Sequence, residues 1–341
     1  MQQIWITRYG KEEVLSPLDH ELPPPTSKEV QVKVRYAGIN FADLLCRQGL
    51  YPSAPPVPFV PGYEVSGIIN RVGAEVDEDF VGRPVVGLTH FGGYSSEINL
   101  ARQYILLLKN EQQLQTAAAL PVNYFTAYGM LINQAHLQKG EWVLIHGIGG
   151  GVGIAALQIA QLLGGQIIGT ASRWKHAKLK EMGVEHVIDP QEVDFYSYVR
   201  EVTHGRGADV ILDPIGGAHF AKSYRTLARL GRLVLYGFST ATEGRGRYSW
   251  HALKEYMRMP RFNPLKLIAA NRGVFGFHLG LLQNQDKFFQ QVTKEVMQWY
   301  QEGKITPQID RVFPFSEVQE AHHYLHERRN FGKVLLSPDN R

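Results

Sequence analysis

Trp142-Val143-Leu144-Ile145-His146-Gly147-Ile148-Gly149-Gly150-Gly151-Val152-Gly153 is the stretch from which the rest of the chain can be read. The apolar run reads as a buried strand and the glycines as a tight turn. Ile154-Ala155-Ala156-Leu157-Gln158-Ile159-Ala160-Gln161-Leu162-Leu163 then opens a helix with apolar residues on one stripe. Gly147, Gly150 and Gly153 remove the Cβ atoms that would keep a pyrophosphate from the backbone. The helix start, with Gly151 and Val152 beside it, offers free N–H groups and a partial positive charge to that anion. Strand, turn and helix in this order separate a dinucleotide-binding turn from an ordinary glycine-rich loop.

The residues that follow extend the pattern. Gln166–Ala171 reads as a second strand, Lys175–Met182 as a polar helix, His186–Ile188 as a strand and Val193–Thr203 as a helix. Asp209–Leu212 is a fourth strand, Ala218–Leu230 a helix and Arg232–Tyr236 a further strand. Such alternation predicts an α/β Rossmann domain with a doubly wound parallel sheet. NAD-specific versions place Asp or Glu about 20 residues past the glycines, on the ribose 2′-hydroxyl. Here the second strand runs into Thr170-Ala171-Ser172-Arg173-Trp174-Lys175, without an acid. Arg173 and Lys175 suit a 2′-phosphate, with Ser172 as a further donor. Cations at a helix start oppose the helix dipole, and a bound anion explains them. NADPH is therefore the expected coenzyme.

Composition bounds the remainder. At 341 residues the chain is expected to form two domains. A net charge of +4 is too small to imply nucleic acid. Cys46 is the only cysteine, which leaves no disulfide framework and no cysteine-based zinc cluster. Met1–Thr7 begins a strand-like run without a signal-peptide pattern, and no apolar run is long enough to span a bilayer. A cytoplasmic protein is the expectation. In the first 120 residues Val30, Val32, Val34 and Tyr36 alternate with polar residues, and prolines and glycines punctuate the chain from Leu50 to Gly87. This predicts a β-rich domain over 1–122, completed by 281–341, and a Rossmann domain over 123–280.

Gly38-Ile39-Asn40-Phe41-Ala42-Asp43, Gly49-Leu50-Tyr51, Pro61-Gly62-Tyr63-Glu64, the His146–Gly153 turn and Gly332-Lys333-Val334-Leu335-Leu336 resemble the zinc-free quinone oxidoreductase branch of the medium-chain dehydrogenase/reductase superfamily. Asp213-Pro214-Ile215-Gly216-Gly217 and Gly276-Phe277-His278-Leu279-Gly280 look like its synaptic-vesicle amine-transport membrane protein homologues. The resemblance implies a GroES-like catalytic domain, a homodimer, and reduction of quinones or α,β-unsaturated carbonyls with NADPH. Zinc-dependent relatives carry a cysteine where Asn40 stands and a histidine where Tyr63 stands. Glu64 alone remains of that set, so no catalytic metal is expected.

Without a metal, hydrogen-bond donors must stabilise the charge that grows on the substrate oxygen as hydride arrives. Asn40, Tyr51 and Tyr63 are the candidates, with Asp43 orienting them. The plainer readings are a helix cap for Asn40 or Asp43 and loop packing for the tyrosines. By resemblance, Thr126 touches the nicotinamide half of the coenzyme. Gly237, Phe238 and Phe277 border the same edge, and Asn330 reaches the cofactor. Pro190 stands where the branch often carries a tyrosine of the 2′-phosphate pocket. The insertion 243–272 mixes Arg245, Arg247, Lys254, Arg258, Arg261 and Lys266 with Trp250, Leu253, Tyr256, Met257 and Phe262. A lid over the substrate site is favoured over a helix lying on an anionic membrane. The competing function is a nucleotide-binding, lipid- or partner-associating protein with little turnover.

Overall fold

A computed structural model describes residues 1–244, 250–282 and 285–339. Arg245 and Arg247 lie outside the described residues. Along the chain the first strands are β1 (Gln2–Ile6), β2 (Leu15–Asp19), β3 (Glu29–Ile39), β4 (Glu64–Val72), β5 (Pro84–Leu88), β6 (Glu97–Ala101) and β7 (Ile105–Leu107). Then come β8 (Trp142–His146), β9 (Gln166–Thr170), β10 (His186–Ile188), β11 (Ala208–Asp213), β12 (Leu227–Leu235) and β13 (Gly273–Gly276), and finally β14 (Ile309–Pro314) and β15 (Lys333–Ser337). Two compact units result. Among the described residues, one holds 1–122 and 307–339, the other 123–244, 250–282 and 285–306.

The first unit is built on a seven-stranded sheet in the order β14-β15-β3-β4-β5-β7, with β6 also on β3. Val30, Val32 and Val34 of β3 point into a core with Ile4, Ile6, Val65, Phe313 and Phe315, while Lys33 and Arg35 face out. Register then places the chemistry. β15 runs antiparallel to β3 with Val334 opposite Ile39, which sets Lys333 beside Asn40. β4 pairs with β3 through Val65 opposite Ala37, which sets Glu64 beside Gly38.

The second unit holds a parallel sheet in the order β10-β9-β8-β11-β12-β13. Renumbered from β8, this is the 3-2-1-4-5-6 order of a Rossmann domain. Val143, Leu144, Ile145 and Val210, Ile211, Leu212 are fully buried, as central parallel strands covered on both faces must be. The helix Gly151–Leu162 buries Ile154, Ala155, Leu157 and Ile159. Two boundaries differ from the sequence reading. The helix expected over Ala218–Leu230 stops at Thr226, because Leu227 already pairs with Ala208 as β12 begins. Residues 281–306, expected in the first unit, cluster with the second. There Trp299 and Phe288 of the helix Asp286–Gln301 pack on Tyr128. Among the described residues no helix is long and apolar enough to cross a membrane.

Candidate functional site

In the second unit the glycine turn leaves β8 at Gly147, whose φ of +65° lies in the left-handed region. A Cβ there would meet nothing within 4 Å, so this glycine serves conformation and leaves open space. Gly150 caps the helix Gly151–Leu162, and no side chain satisfies the first N–H groups. Gly153 has a packing reason to be glycine. A Cβ there would strike the Gly147 carbonyl oxygen at 2.4 Å, so its absence lets helix and turn pack. At Gly151 a Cβ would meet the Asn123 amide at 2.6 Å. Asn123 is buried over the helix start, a residue the motif alone did not single out.

Beyond β9, Ser172 and Arg173 are exposed. Arg173 faces Glu192 at 3.6 Å, with its side chain 76% exposed. Such a pair is worth little in water and leaves the guanidinium free to turn to a phosphate. Asp189 is spent on the main chain and accepts the Arg173 and Gln191 N–H groups at 2.8 and 3.0 Å. Lys175 is buried, its ammonium 5.0 Å from the Trp174 ring. The turn and its flank thus fit a phosphorylated dinucleotide, with Arg173 and Ser172 disposed toward solvent and Lys175 packed inward.

A polar network stands under the turn. His146, Asp213 and His219 bring one ligand-type atom each within 4.8 Å of one another. The Ser223 hydroxyl fills their midst, at 2.6 Å from Asp213 Oδ2, 3.2 Å from His146 Nε2 and 3.4 Å from His219 Nδ1. Burial would push the Asp213 carboxyl up, but hydrogen bonds from His219 and Ser223 hold it below its ordinary range. With the Ser223 proton given to this carboxylate, His146 donates from Nε2. Burial pushes the His146 pKa down to about 3, so the ring is neutral and its Nδ1 accepts from Thr170 at 3.1 Å. Thr170 in turn accepts the Gly147 N–H at 3.3 Å. The network links the turn to the loop after β11.

In the first unit three strands deliver a second polar cluster. Lys333 and Glu64 are 3% and 0% exposed and form an ion pair. The Lys333 ammonium also donates to Asn40 Oδ1 at 2.6 Å, while Asn40 Nδ2 donates to Glu64 Oε1 at 3.2 Å. Glu64 Oε2 accepts the Val122 N–H at 2.8 Å. Gly38 makes room, since a Cβ there would lie 2.5 Å from Glu64 Oε1 and 2.7 Å from Lys333 Cε. Asn40 also caps the helix Phe41–Gln48, its N–H bonded to Asp43 Oδ2 at 2.8 Å. The cap reading of Asn40 is thus present in the structure, and its amide is held at the same time by Lys333 and Glu64. Asp43 is fully buried, and its other oxygen accepts the Gly62 N–H at 3.0 Å. Burial pushes its pKa up to about 7, against the pull of these N–H groups and of Lys333.

Tyr63 and Tyr51 form an adjoining pair, rings 6.1 Å apart and edge to face. The Tyr63 hydroxyl lies 3.2 Å from Cys46 Sγ. Burial pushes the Tyr51 phenol up to about 12 and the Cys46 thiol well above its usual range. Tyr51 is half-buried, the more accessible of the two phenols. A protonated thiol, an amide and a carboxylate already neutralised by an ammonium are a poor donor set for zinc.

The remaining sequence candidates fall into both units. In the second, Thr126 is buried in the helix Pro121–Tyr128, and Phe277 packs against Gly129. Gly237 approaches the Pro214 backbone and Phe238 covers Gly216. In the first, Asn330 donates to the Gly332 carbonyl at 2.7 Å and holds the turn into β15. The insertion forms the helices Trp250–Met257 and Pro264–Ala270. Trp250 is 80% exposed, and Tyr256, Met257, Leu265 and Ile268 are exposed as well.

Comparison with known proteins adds to this geometry. The profile of a family described as alcohol dehydrogenase GroES-like domain matches residues 26–109, and that of one described as zinc-binding dehydrogenase matches residues 182–336. A synaptic vesicle membrane protein VAT-1 homolog of Danio rerio is 38% identical over 318 residues, covering 93% of this chain and 66% of that protein. Its Rattus norvegicus counterpart is 38% identical over 317 residues, covering 93% and 78%. Among solved structures, Escherichia coli quinone oxidoreductase complexed with NADPH aligns with a TM-score of 0.87 at 28% identity, over 99% of this chain and all of that one. CurK enoyl reductase aligns with a TM-score of 0.84 at 30% identity, over 99% of each chain.

Proposed function

We propose that this chain, which belongs to the VAT-1 homologue family of the medium-chain dehydrogenase/reductase superfamily, is an NADPH-dependent oxidoreductase that reduces quinones or α,β-unsaturated carbonyls without a catalytic metal. The observation that carries the reading is the helix start behind Gly147, whose first N–H groups no side chain satisfies, flanked by exposed Ser172 and Arg173; there Asp189 is held by main-chain N–H groups and Glu192 makes only an exposed pair with Arg173. An anion bound there gains main-chain N–H donors, and a 2′-phosphate gains a guanidinium. Solved structures with this fold include a quinone oxidoreductase complexed with NADPH and an enoyl reductase.

When bound, the coenzyme supplies the hydride. The chain's own residues must then orient the acceptor and stabilise its oxygen as charge develops. Tyr51 is the proton donor in this reading, a half-buried phenol whose proton is firmly held until an alkoxide or enolate of higher basicity forms beside it. Tyr63 orients Tyr51, and Asp43 ties the Asn40 and Gly62 loops into one frame. Consumption of NADPH with a panel of quinones and enones tests the reading. Tight coenzyme binding with no oxidation by any acceptor would overturn it.

A second reading, a lipid-associating protein with little turnover, draws on one observation. The helices at 250–257 and 264–270 expose Trp250, Tyr256, Met257, Leu265 and Ile268 next to Lys254, Arg258, Arg261 and Lys266. Failure to sediment with acidic liposomes at low salt would remove it. A homodimer also belongs to the proposal, and light scattering in solution decides it.

A further inference from the structure

The Lys333–Glu64–Asn40 cluster is more elaborate than a structural ion pair requires. Burying an ammonium and a carboxylate costs several kcal/mol of hydration per ion, and a buried pair can often be exchanged for apolar residues without loss of stability. This chain keeps the pair and gives it a seat, the vacant Cβ position of Gly38. It also spends the ammonium on an amide oxygen as well as on the carboxylate. The result is a closed triangle. Lys333 donates to Asn40 Oδ1, Asn40 Nδ2 donates to Glu64 Oε1, and Glu64 accepts from Lys333. An asparagine amide flips at little cost when its surroundings are neutral. Here a flip would turn its NH2 toward an ammonium and its oxygen toward a carboxylate, so charge locks one orientation.

The donor set facing Lys333 is an amide oxygen and a carboxylate oxygen, the kind of pair that otherwise collects a metal cation. The second carboxylate nearby, Asp43, feels the same ammonium. We propose that Lys333 is the resident cation of the first unit's site: it fills the seat between Glu64 and Asn40 and fixes the Asn40 amide, whose second N–H rests on the Gly38 carbonyl at a long 3.4 Å and is the donor that the acceptor's oxygen takes over. No bond to Lys333 forms in the reaction. Its ammonium keeps the local charge from becoming wholly negative as the acceptor gains electrons. The inference rests on the reductase reading for its kinetic part, while the existence of the seat is testable without turnover.

The experiment uses the full chain with four substitutions of these two side chains. Lys333→Met, close in length and neutral, is expected to lower kcat with quinone acceptors by about 100-fold. The KM for the acceptor and the Kd for NADPH should both change by less than about 3-fold. Lys333→Arg should recover a part of kcat, since it restores the charge with a different shape. If Lys333→Met alone does not fold, Lys333→Met/Glu64→Gln removes both charges together and leaves no unpaired ion. That double variant should fold and stay slow; a kcat equal to that of the unmodified chain would show the pair to be structural only and overturn the proposal. Lys333→Ala supplies the readout that needs no activity. Methylammonium should raise its melting temperature saturably and leave that of the unmodified chain unchanged, with neutral methylurea as control. No such shift would overturn the seat. An unmodified chain that oxidises no NADPH, beside a Lys333→Ala variant that does show the shift, would sink the reductase reading and keep the seat.

Discussion

Under the proposed function the two units carry their chemistry in opposite ways. At the Gly147–Gly153 turn the working groups are main-chain N–H donors, and the sequence contributes by leaving atoms out. Around Asn40 the working groups are side chains from three strands, and the backbone contributes by bringing them into register. The first device is local, since strand, turn and helix are contiguous. The second joins residues 293 and 269 positions apart, Lys333 to Asn40 and to Glu64. Even the glycines differ. Gly147 supplies a backbone angle and Gly153 a close approach of helix to turn, whereas Gly38 is a vacancy that two charged side chains fill. A device made of absences tolerates no addition. A device made of side chains should tolerate graded change.

The largest effect expected is therefore at Gly153. Its alanine variant puts a Cβ 2.4 Å from the Gly147 carbonyl oxygen, a main-chain atom that cannot swing away. Overpacking of this kind costs about 1–3 kcal/mol of stability. NADPH affinity should fall by at least about 100-fold, since the N–H groups that hold the anion move with the turn. Gly150→Ala is the control inside the same motif. Its Cβ would meet only the Gly147 oxygen, at 3.4 Å, and should leave stability nearly unchanged. Calorimetry with NADPH and chemical denaturation read both. Equal losses at the two positions would break the account of Gly153 as a packing glycine.

Next in size is Tyr51→Phe. General acid catalysis typically contributes about 10²–10⁴-fold, and kcat for enone reduction should fall within that range with NADPH affinity unchanged. Tyr63→Phe should cost less, because its hydroxyl meets the buried Cys46 sulfur. A smaller effect still is expected from Arg173→Ala. Hydrogen bonds to charged groups are worth about 1.5–3 kcal/mol, so NADPH binding should weaken by about 10- to 100-fold. NADH, lacking the phosphate, should bind almost as before. Equal weakening of both would remove Arg173 from the 2′-phosphate role.

These contrasts show why the sequence was legible in one place and opaque in the other. Alternating strand and helix signals located β8 to β11 within a residue or two, because buried parallel strands read as continuous apolar runs. The helix over Ala218–Leu230 was overextended because Leu227-Ala228-Arg229-Leu230 is helix-prone, and only pairing with β11 makes it a strand. The helix after residue 286 was amphipathic on its own showing, but amphipathicity does not say which unit an apolar face meets. Asn40, Asp43, Tyr51 and Tyr63 stand out in the sequence because they lie in three short motifs. Lys333 was quoted as part of a motif and given no role. Its partner is set by the antiparallel pairing of β15 with β3, which no local pattern encodes.

The gentlest test concerns Asp43, where the side-chain device meets the proton. An unfolded aspartate titrates near 4, and burial pushes Asp43 up to about 7 in the folded chain. Between those values the folded state binds a proton that the unfolded state has released. Stability contributed at this position is therefore greatest below about pH 4, declines as pH rises toward 7, and is flat above. Asp43→Asn removes the titration, so the decline over that window should shrink in denaturation curves taken from pH 4 to pH 8. The variant should also be less stable throughout, since an amide has one oxygen for the two N–H groups of Asn40 and Gly62. A decline that persists undiminished in Asp43→Asn would assign it to another group. The frame around Asn40 would then owe nothing to a carboxyl that changes charge near neutral pH.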